Sequence, residues 1–205
     1  MRQLLRTPKT RRGLVSLTEI IIVSGASAVG KQTVLDILLQ MRDDLTWSVS
    51  RTTRKPREGE QNGVHYWFIR HDEFSRLVVA DDFLEWRHYD KESYGTPRPD
   101  PGVDRLLIEC DIEGARLIKL HKRPEDRITT IVLFPPGDTR RKQLACLRRR
   151  HRNRGTAPEK INDRIETAKG ELDAAPEFYD HIVVNDDAKR AAQEISDIID
   201  AAVRV

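Results

Sequence analysis

Residues 20–41 read Ile-Ile-Ile-Val-Ser-Gly-Ala-Ser-Ala-Val-Gly-Lys-Gln-Thr-Val-Leu-Asp-Ile-Leu-Leu-Gln-Met. An apolar run opens this stretch, a glycine-bracketed loop follows, and an amphipathic run closes it. The predicted order is buried strand, loop, helix, with the strand over 18–24 and the helix over 33–42. In that order the loop Gly25-Ala26-Ser27-Ala28-Val29-Gly30-Lys31-Gln32-Thr33 becomes a cradle for an anion. Its glycines let backbone N–H groups point inward, the helix start adds partial positive charge, and Lys31 adds a full one. The spacing G-x-x-x-x-G-K is that of a phosphate-binding loop (P-loop). The position after the lysine, where a metal-binding hydroxyl is usual, holds Gln32, and Thr33 follows one later.

Outward from this stretch, apolar runs and amphipathic runs alternate. Core strands are predicted at 105–112, 128–134 and 181–184, and a short strand at 45–50. Helices are predicted at 113–120, 140–152, 159–172 and 188–203. That alternation predicts an α/β fold, a doubly wound parallel sheet whose ligands gather at the C-terminal strand ends. Residues 50–95 differ. They are polar, basic and turn-rich up to Asn62-Gly63, then carry strand-like segments at 64–69 and 83–89 around a helix at 71–79 with Asp72 as its cap. They read as a small strand-rich insert. Pro97, Pro99 and Pro101 exclude a helix between Thr96 and Asp104.

The bulk properties exclude several classes. At 205 residues the chain can bury one α/β core. A net charge of +3 gives no global pull toward nucleic acid, although basic residues cluster in 1–12 and 140–154. Those clusters lack the interleaved aromatics that stack bases. The two cysteines, Cys110 and Cys146, make no metal pattern and suit a reducing compartment. No apolar run is long enough for a membrane span. Residues 1–17 are expected to form a flexible basic tail, and the expected address is the cytoplasm.

A second set of residues surrounds the loop in function. Arg54 and Arg57, three apart and near the Tyr66 hydroxyl, form a grip for a second phosphate. Glu85 offers two acceptor oxygens, which suit the adjacent N–H donors of guanine, with a hydroxyl from Ser50 or Thr96 beside it.

The stretch Ser48–Phe68, Ser-Val-Ser-Arg-Thr-Thr-Arg-Lys-Pro-Arg-Glu-Gly-Glu-Gln-Asn-Gly-Val-His-Tyr-Trp-Phe, resembles the signature of the guanylate kinases. The likeness continues through Phe83-Leu84-Glu85-Trp86, Tyr94-Gly95-Thr96, 109–115, Pro135-Pro136, Arg154-Gly155-Thr156 and Val184-Asn185-Asp186, covering about 19–200 in order. The resemblance implies a P-loop nucleoside monophosphate kinase that uses ATP and Mg2+ to phosphorylate GMP or dGMP. It implies a core (18–49, 97–138 and 168–205), a GMP-binding insert (50–96) and a lid (139–167). Arg54, Arg57, Glu60, Tyr66 and Tyr94 would surround the GMP phosphate. Ser50, Glu85 and Thr96 would contact guanine, and Asp111 would lie beside acceptor and metal. Lys31 and the loop Gly25–Thr33 would hold the ATP phosphates, with Asn185 near the adenine. Arg150, Arg154 and Arg164 would neutralise the transferring group from the lid and its hinge. Thr33 or Gln32 would be the direct metal contact.

Three departures from the family pattern stand out: Gln32, the short proline-rich interval before residue 105, and a longer, more basic segment between Pro136 and Arg154. They keep open a related kinase with a shifted phosphorylated acceptor, or a binding module without catalysis. Small-molecule substrates, no membrane and a possible homo-oligomer complete the expectation.

Overall fold

The computed structural model describes residues 18–124 and 126–202. The expected basic tail lies outside the described residues. In chain order the elements are β1 (Glu19–Gly25), α1 (Lys31–Met41), β2 (Thr46–Trp47), β3 (Arg51–Thr52), β4 (Trp67–Phe68), α2 (His71–Val79), β5 (Phe83–Tyr89), β6 (Glu92–Pro97), β7 (Arg105–Glu109), α3 (Ile112–His121), β8 (Arg127–Phe134), α4 (Arg140–Asn153), α5 (Pro158–Phe178), β9 (His181–Val184) and α6 (Ala188–Ala202).

Five strands form a parallel sheet in the order β2-β7-β1-β8-β9. This is the doubly wound sheet expected from the alternation of runs. β1 is central, and Ile20, Ile21, Ile22 and Val23 are all fully buried. Its alternate residues feed two cores. Ile21 and Val23 pack with Leu35 and Leu38 of α1 and Ile195 of α6, while Ile20 and Ile22 pack with Ala115 and Ile118 of α3. β1 lies between β7 and β8, with the earlier strands β2 and β7 on one side and the later strands β8 and β9 on the other, so the switch point lies at the end of β1. The register sets Val23 beside Glu109 and Gly25 beside Leu133, which brings three strand ends to one rim.

The insert forms its own four-stranded sheet, β4-β3-β6-β5. Phe74 of α2 stacks on Phe83 of β5 at 4.7 Å between centroids. β6 lies between β3 and β5 and was not expected, because Glu-Ser-Tyr-Gly-Thr-Pro carries no strand-like alternation of apolar residues. Pairing on both edges makes it a strand. The predicted strands at 45–50 and 64–69 shrink to two residues each. The cap of α2 is Arg70, not Asp72, which sits in the first turn and pairs with Arg70.

α5 runs past the expected end at Leu172 and through Pro176. Proline cannot donate to the carbonyl of Leu172. That carbonyl is taken instead by Arg140 Nη2 at 2.8 Å, so the break in the ladder leaves no orphan there. The chain from Arg98 to Asp104 crosses back to the core without a helix, as its prolines require.

Candidate active site

The phosphate loop takes its shape from two glycines. Gly25 has φ +149°, and an added Cβ would meet the Leu133 carbonyl at 2.8 Å. Gly30, at φ +99°, caps α1, so the helix begins at Lys31, two residues before the sequence suggests. Lys31, Gln32 and Thr33 therefore occupy the first helical turn, and their side chains diverge.

Lys31 Nζ donates to the Gly25 carbonyl at 2.5 Å and lies 3.5 Å from Glu109 Oε1. Gln32 turns along the helix surface, and its Nε2 donates to Asp36 Oδ1 at 2.7 Å. Thr33 borders a cavity of about 380 Å³ shared with Ala28, Gly30, Arg150, Arg154 and Asn185. Neither candidate for the direct metal contact stands with Lys31 at the other cavity described below.

Asn185, at the end of β9, is 5% exposed. Its Nδ2 donates to the Val29 carbonyl at 2.8 Å. Arg150 of α4 reaches the same carbonyl through Nη1 at 2.5 Å and the Asn185 carbonyl through Nη2 at 3.0 Å. Arg164 of α5 donates to Ser27 Oγ at 2.9 Å. Arg154 closes α4 and borders the same cavity as Asn185. The two helices of the expected lid thus reach the phosphate loop directly.

On the other side of the loop lies a second cavity of about 550 Å³. Gly25, Ser27 and Lys31 form one wall, and Ser50, Tyr66, Glu85, Tyr94, Thr96 and Asp111 face them. Glu85 is buried; its Oε1 accepts from Thr96 Oγ1 at 2.7 Å, while its buried Oε2 has no protein donor. Burial pushes its carboxyl above the usual range, opposed by the Thr96 hydrogen bond and the charge of Arg87.

Arg54 lies 5.2 Å over the Tyr66 ring and 5.5 Å over the Phe68 ring. Glu60 clamps its guanidinium with bonds of 2.7 and 2.9 Å and also accepts from the Arg57 backbone N–H at 2.7 Å. These bonds hold the Glu60 carboxyl at about 2. Glu60, expected among the groups around GMP, is thus committed to aiming Arg54. The Arg57 side chain is exposed, and its backbone holds Glu60. Asp111 caps α3 by accepting from the Gly114 N–H at 2.9 Å, and its other oxygen accepts from Arg87 Nη2 at 2.5 Å.

Sequence reasoning did not single out Arg87, Tyr89 or Glu171, all on the wall of this cavity. Strand alternation puts Arg87 and Tyr89 on the face of Glu85, and that signal was present once 83–89 was read as a strand. Glu171 comes from α5, 60 residues beyond Asp111, and no local pattern points to it. Among the described residues no group of three or more His, Cys, Asp or Glu side chains is arranged to hold a metal ion. Glu109, 3.5 Å from Lys31, and Asp111 both lie on that wall. A further cavity, of about 630 Å³, lies at the opposite end of the sheet, where Arg105 pairs with both Glu19 and Asp44.

A family model described as guanylate kinase matches residues 17–202. The chain belongs to the guanylate kinase family. A guanylate kinase from Synechococcus sp. (strain JA-3-3Ab) is 41% identical over 201 residues, spanning 95% of this chain and 85% of the relative. One from Malacoplasma penetrans (strain HF-2) is 40% identical over 188 residues, spanning 88% and 92%. The crystal structure of guanylate kinase from Anaplasma phagocytophilum superimposes with a TM-score of 0.66 at 27% identity, covering 92% of this chain and 88% of that one. Within this guanylate kinase fold the phosphate loop is the partition between the two cavities. Gly25, Ser27 and Lys31 face one cavity, and Ala28, Gly30 and Thr33 face the other.

Proposed function

We propose that the chain is an ATP-dependent guanylate kinase, transferring the terminal phosphoryl group of ATP to the phosphate of GMP to give ADP and GDP. The observation that carries this reading is the partition: one glycine loop with Lys31 borders both a cavity with Asn185 and Arg150 and a cavity with Glu85 and Tyr94. A donor nucleotide and an acceptor nucleotide on either side of one loop put the reacting phosphates against Lys31.

In the transfer, a GMP phosphate oxygen forms a bond to the terminal phosphorus of ATP, and the bond from that phosphorus to the bridging oxygen of ADP breaks. The attacking oxygen is already anionic, so alignment and neutralisation of charge matter more than a base. Lys31 neutralises the donor phosphates. Arg54, aimed by Glu60, and the Tyr66 and Tyr94 hydroxyls grip the acceptor phosphate. Ionised Glu85 accepts from guanine N1–H and the 2-amino group, and Ser50 and Thr96 lie beside it. Arg150, Arg154 and Arg164 belong to a lid, 139–167, closing over the core, and 50–96 is the acceptor module.

Magnesium bound with ATP would supply further neutralisation of the phosphates. Glu109 and Asp111 are the oxygen donors this chain offers it, in place of a hydroxyl after Lys31. Among the described residues no helix is long and apolar enough to cross a membrane, and the free thiols of Cys110 and Cys146 suit a reducing cytoplasm.

The test is ADP release from ATP with GMP, dGMP, AMP, CMP and UMP as acceptors. Turnover is expected with guanine nucleotides far above the others, and Glu85→Gln is expected to erode that preference. No nucleotide-dependent turnover would overturn the proposal and favour a binding module; comparable AMP and GMP turnover would overturn the role of Glu85.

A further inference from the structure

β5 and β6 present one face to the acceptor cavity. Glu85 pairs with Thr96 and Arg87 pairs with Tyr94, and all four border the same 550 Å³ space. Arg87 does not stay within the insert. Its Nη2 reaches Asp111 Oδ2, at the cap of α3 in the core, at 2.5 Å. The other Asp111 oxygen is occupied by the Gly114 N–H. Three further carboxyl groups, those of Glu85, Glu109 and Glu171, share this wall with two cations, Lys31 and Arg87. Lys31 is engaged by the Gly25 carbonyl and Glu109. Arg87 is paired with Asp111 and lies two residues from Glu85 on the same face of β5.

We infer that Arg87 is a positioning residue for acceptor selection: its guanidinium, spanning from β5 to Asp111, supplies the positive charge that lets Glu85 face the purine as a carboxylate. The inference rests on the acceptor cavity taking GMP. The chemistry of the purine edge makes the charge state decisive. Guanine presents two donors, N1–H and the 2-amino group, and an ionised carboxylate accepts both. Adenine presents an acceptor at N1 and a donor at the 6-amino group, which is the complement of a neutral carboxylic acid. Losing the charge on Glu85 therefore weakens guanine and favours adenine.

The surroundings of Glu85 oppose its ionisation. Burial and the charge of Asp111 push its carboxyl upward, while Arg87 and the Thr96 hydroxyl pull it back. Cys110, on the same wall, is held as a neutral thiol by burial. Behind β5, a cavity of about 480 Å³ also borders Glu85 and carries Asp81, Arg98, His121 and Lys122. Arg98 there is paired with Asp81 at 3.1 Å. Of the two cations on the purine side, Lys31 and Arg87, Arg87 is the one carried on the strand of Glu85.

The experiment compares the wild type with Arg87→Met and Arg87→Lys, using kcat/KM for GMP and for AMP as a function of pH, with KM for ATP and the urea midpoint as controls. Arg87→Met is expected to lower kcat/KM for GMP by about tenfold on the acid side, the scale of one half-exposed charge-assisted contact. Its acid limb moves to higher pH, the AMP-to-GMP ratio rises, and Arg87→Lys moves both less. An acid limb and a ratio that are the same in all three proteins would overturn the inference, even if turnover falls, because a purely structural tie between insert and core moves neither. Wild-type protein that fails to use GMP would overturn the proposed function itself.

Discussion

Gly30→Ala tests the packing of the donor side against a magnitude read from the structure. An alanine at φ +99° sits where L side chains are strained, at a cost of roughly 1–3 kcal/mol. Its Cβ would stand 2.6 Å from Asn185 Nδ2, so the amide must move. Moving it breaks the 2.8 Å bond to the Val29 carbonyl, worth about 1 kcal/mol. Arg150 Nη1 still reaches that carbonyl, so no buried acceptor is orphaned and the second cost stays small. The two add to about 2–4 kcal/mol, a large share of the roughly 5–15 kcal/mol that holds a domain folded. Urea unfolding followed by tryptophan fluorescence, together with KM for ATP, reads the effect.

Asn185→Ala separates the two contributions. Alone it removes one hydrogen bond and is expected to cost about 1 kcal/mol. Combined with Gly30→Ala it removes the amide that the new methyl strikes, so the double variant should cost about 1 kcal/mol less than the sum of the singles. Strict additivity, or a Gly30→Ala cost under about 0.5 kcal/mol with ATP binding intact, would refute the geometry of this loop.

Glu60→Gln leaves Arg54 without its paired anion and should raise KM for GMP several-fold with KM for ATP unchanged; equal changes in both would show that Glu60 acts on the fold and not on Arg54. The Glu60 carboxyl, held at about 2 against an ordinary 4.5, lends its support fully above pH 4.5 and loses it as pH falls toward 2. An NMR titration of Glu60 should therefore show a midpoint well below that of an exposed glutamate. Ile118→Ala opens a cavity in the fully buried cluster beneath α3 and should cost about 2–5 kcal/mol in thermal unfolding. Gln32→Ser gives up an exposed bond to Asp36 and sets a hydroxyl after Lys31. It should leave the unfolding midpoint unchanged and lower the magnesium concentration for half-maximal activity; an unchanged requirement would mean that the metal is held without that position.

The parts of the molecule legible in the sequence are those whose signal is local. Four consecutive apolar residues before a glycine loop could only be a strand buried on both faces, and β1 is that strand. The start of α1 was misjudged by two residues because Gly30, and not a polar side chain, is its cap. β6 was invisible for a different reason. Its strand character comes from two neighbours, and Gly95 within it is required because a Cβ there would meet the Phe83 ring at 2.7 Å. That constraint exists only once the hairpin has formed. The end of α5 depended on a distant arginine satisfying the carbonyl that Pro176 abandons. In the site, Ser50, Glu85, Tyr94 and Thr96 share a cavity as expected. Arg87 escaped notice because an arginine in a polar strand reads as a solvated charge, and its partner Asp111 lies 24 residues away.

Three of the expected phosphate-binding cations share one arrangement that explains how such a basic site stays folded. Lys31 bonds the Gly25 carbonyl, Arg164 bonds Ser27 Oγ, and Arg150 bonds the Val29 carbonyl. Each is anchored on an oxygen of the loop whose phosphates it would later meet. Long basic side chains lose roughly 1.5–2 kcal/mol each of rotamer freedom when fixed. Here much of that ordering belongs to folding and not to nucleotide binding. A phosphate oxygen is charged and a carbonyl or hydroxyl is neutral, so the exchange of partners runs toward the nucleotide by the difference between a charge-assisted bond and an ordinary one. In the proposed function α4 and α5 form the lid and carry two of the three cations, so the same exchange that would draw Arg150 and Arg164 onto phosphate would draw the lid across both cavities. Under that proposal closure and charge neutralisation would be one event, set off by the ligand whose charge requires it.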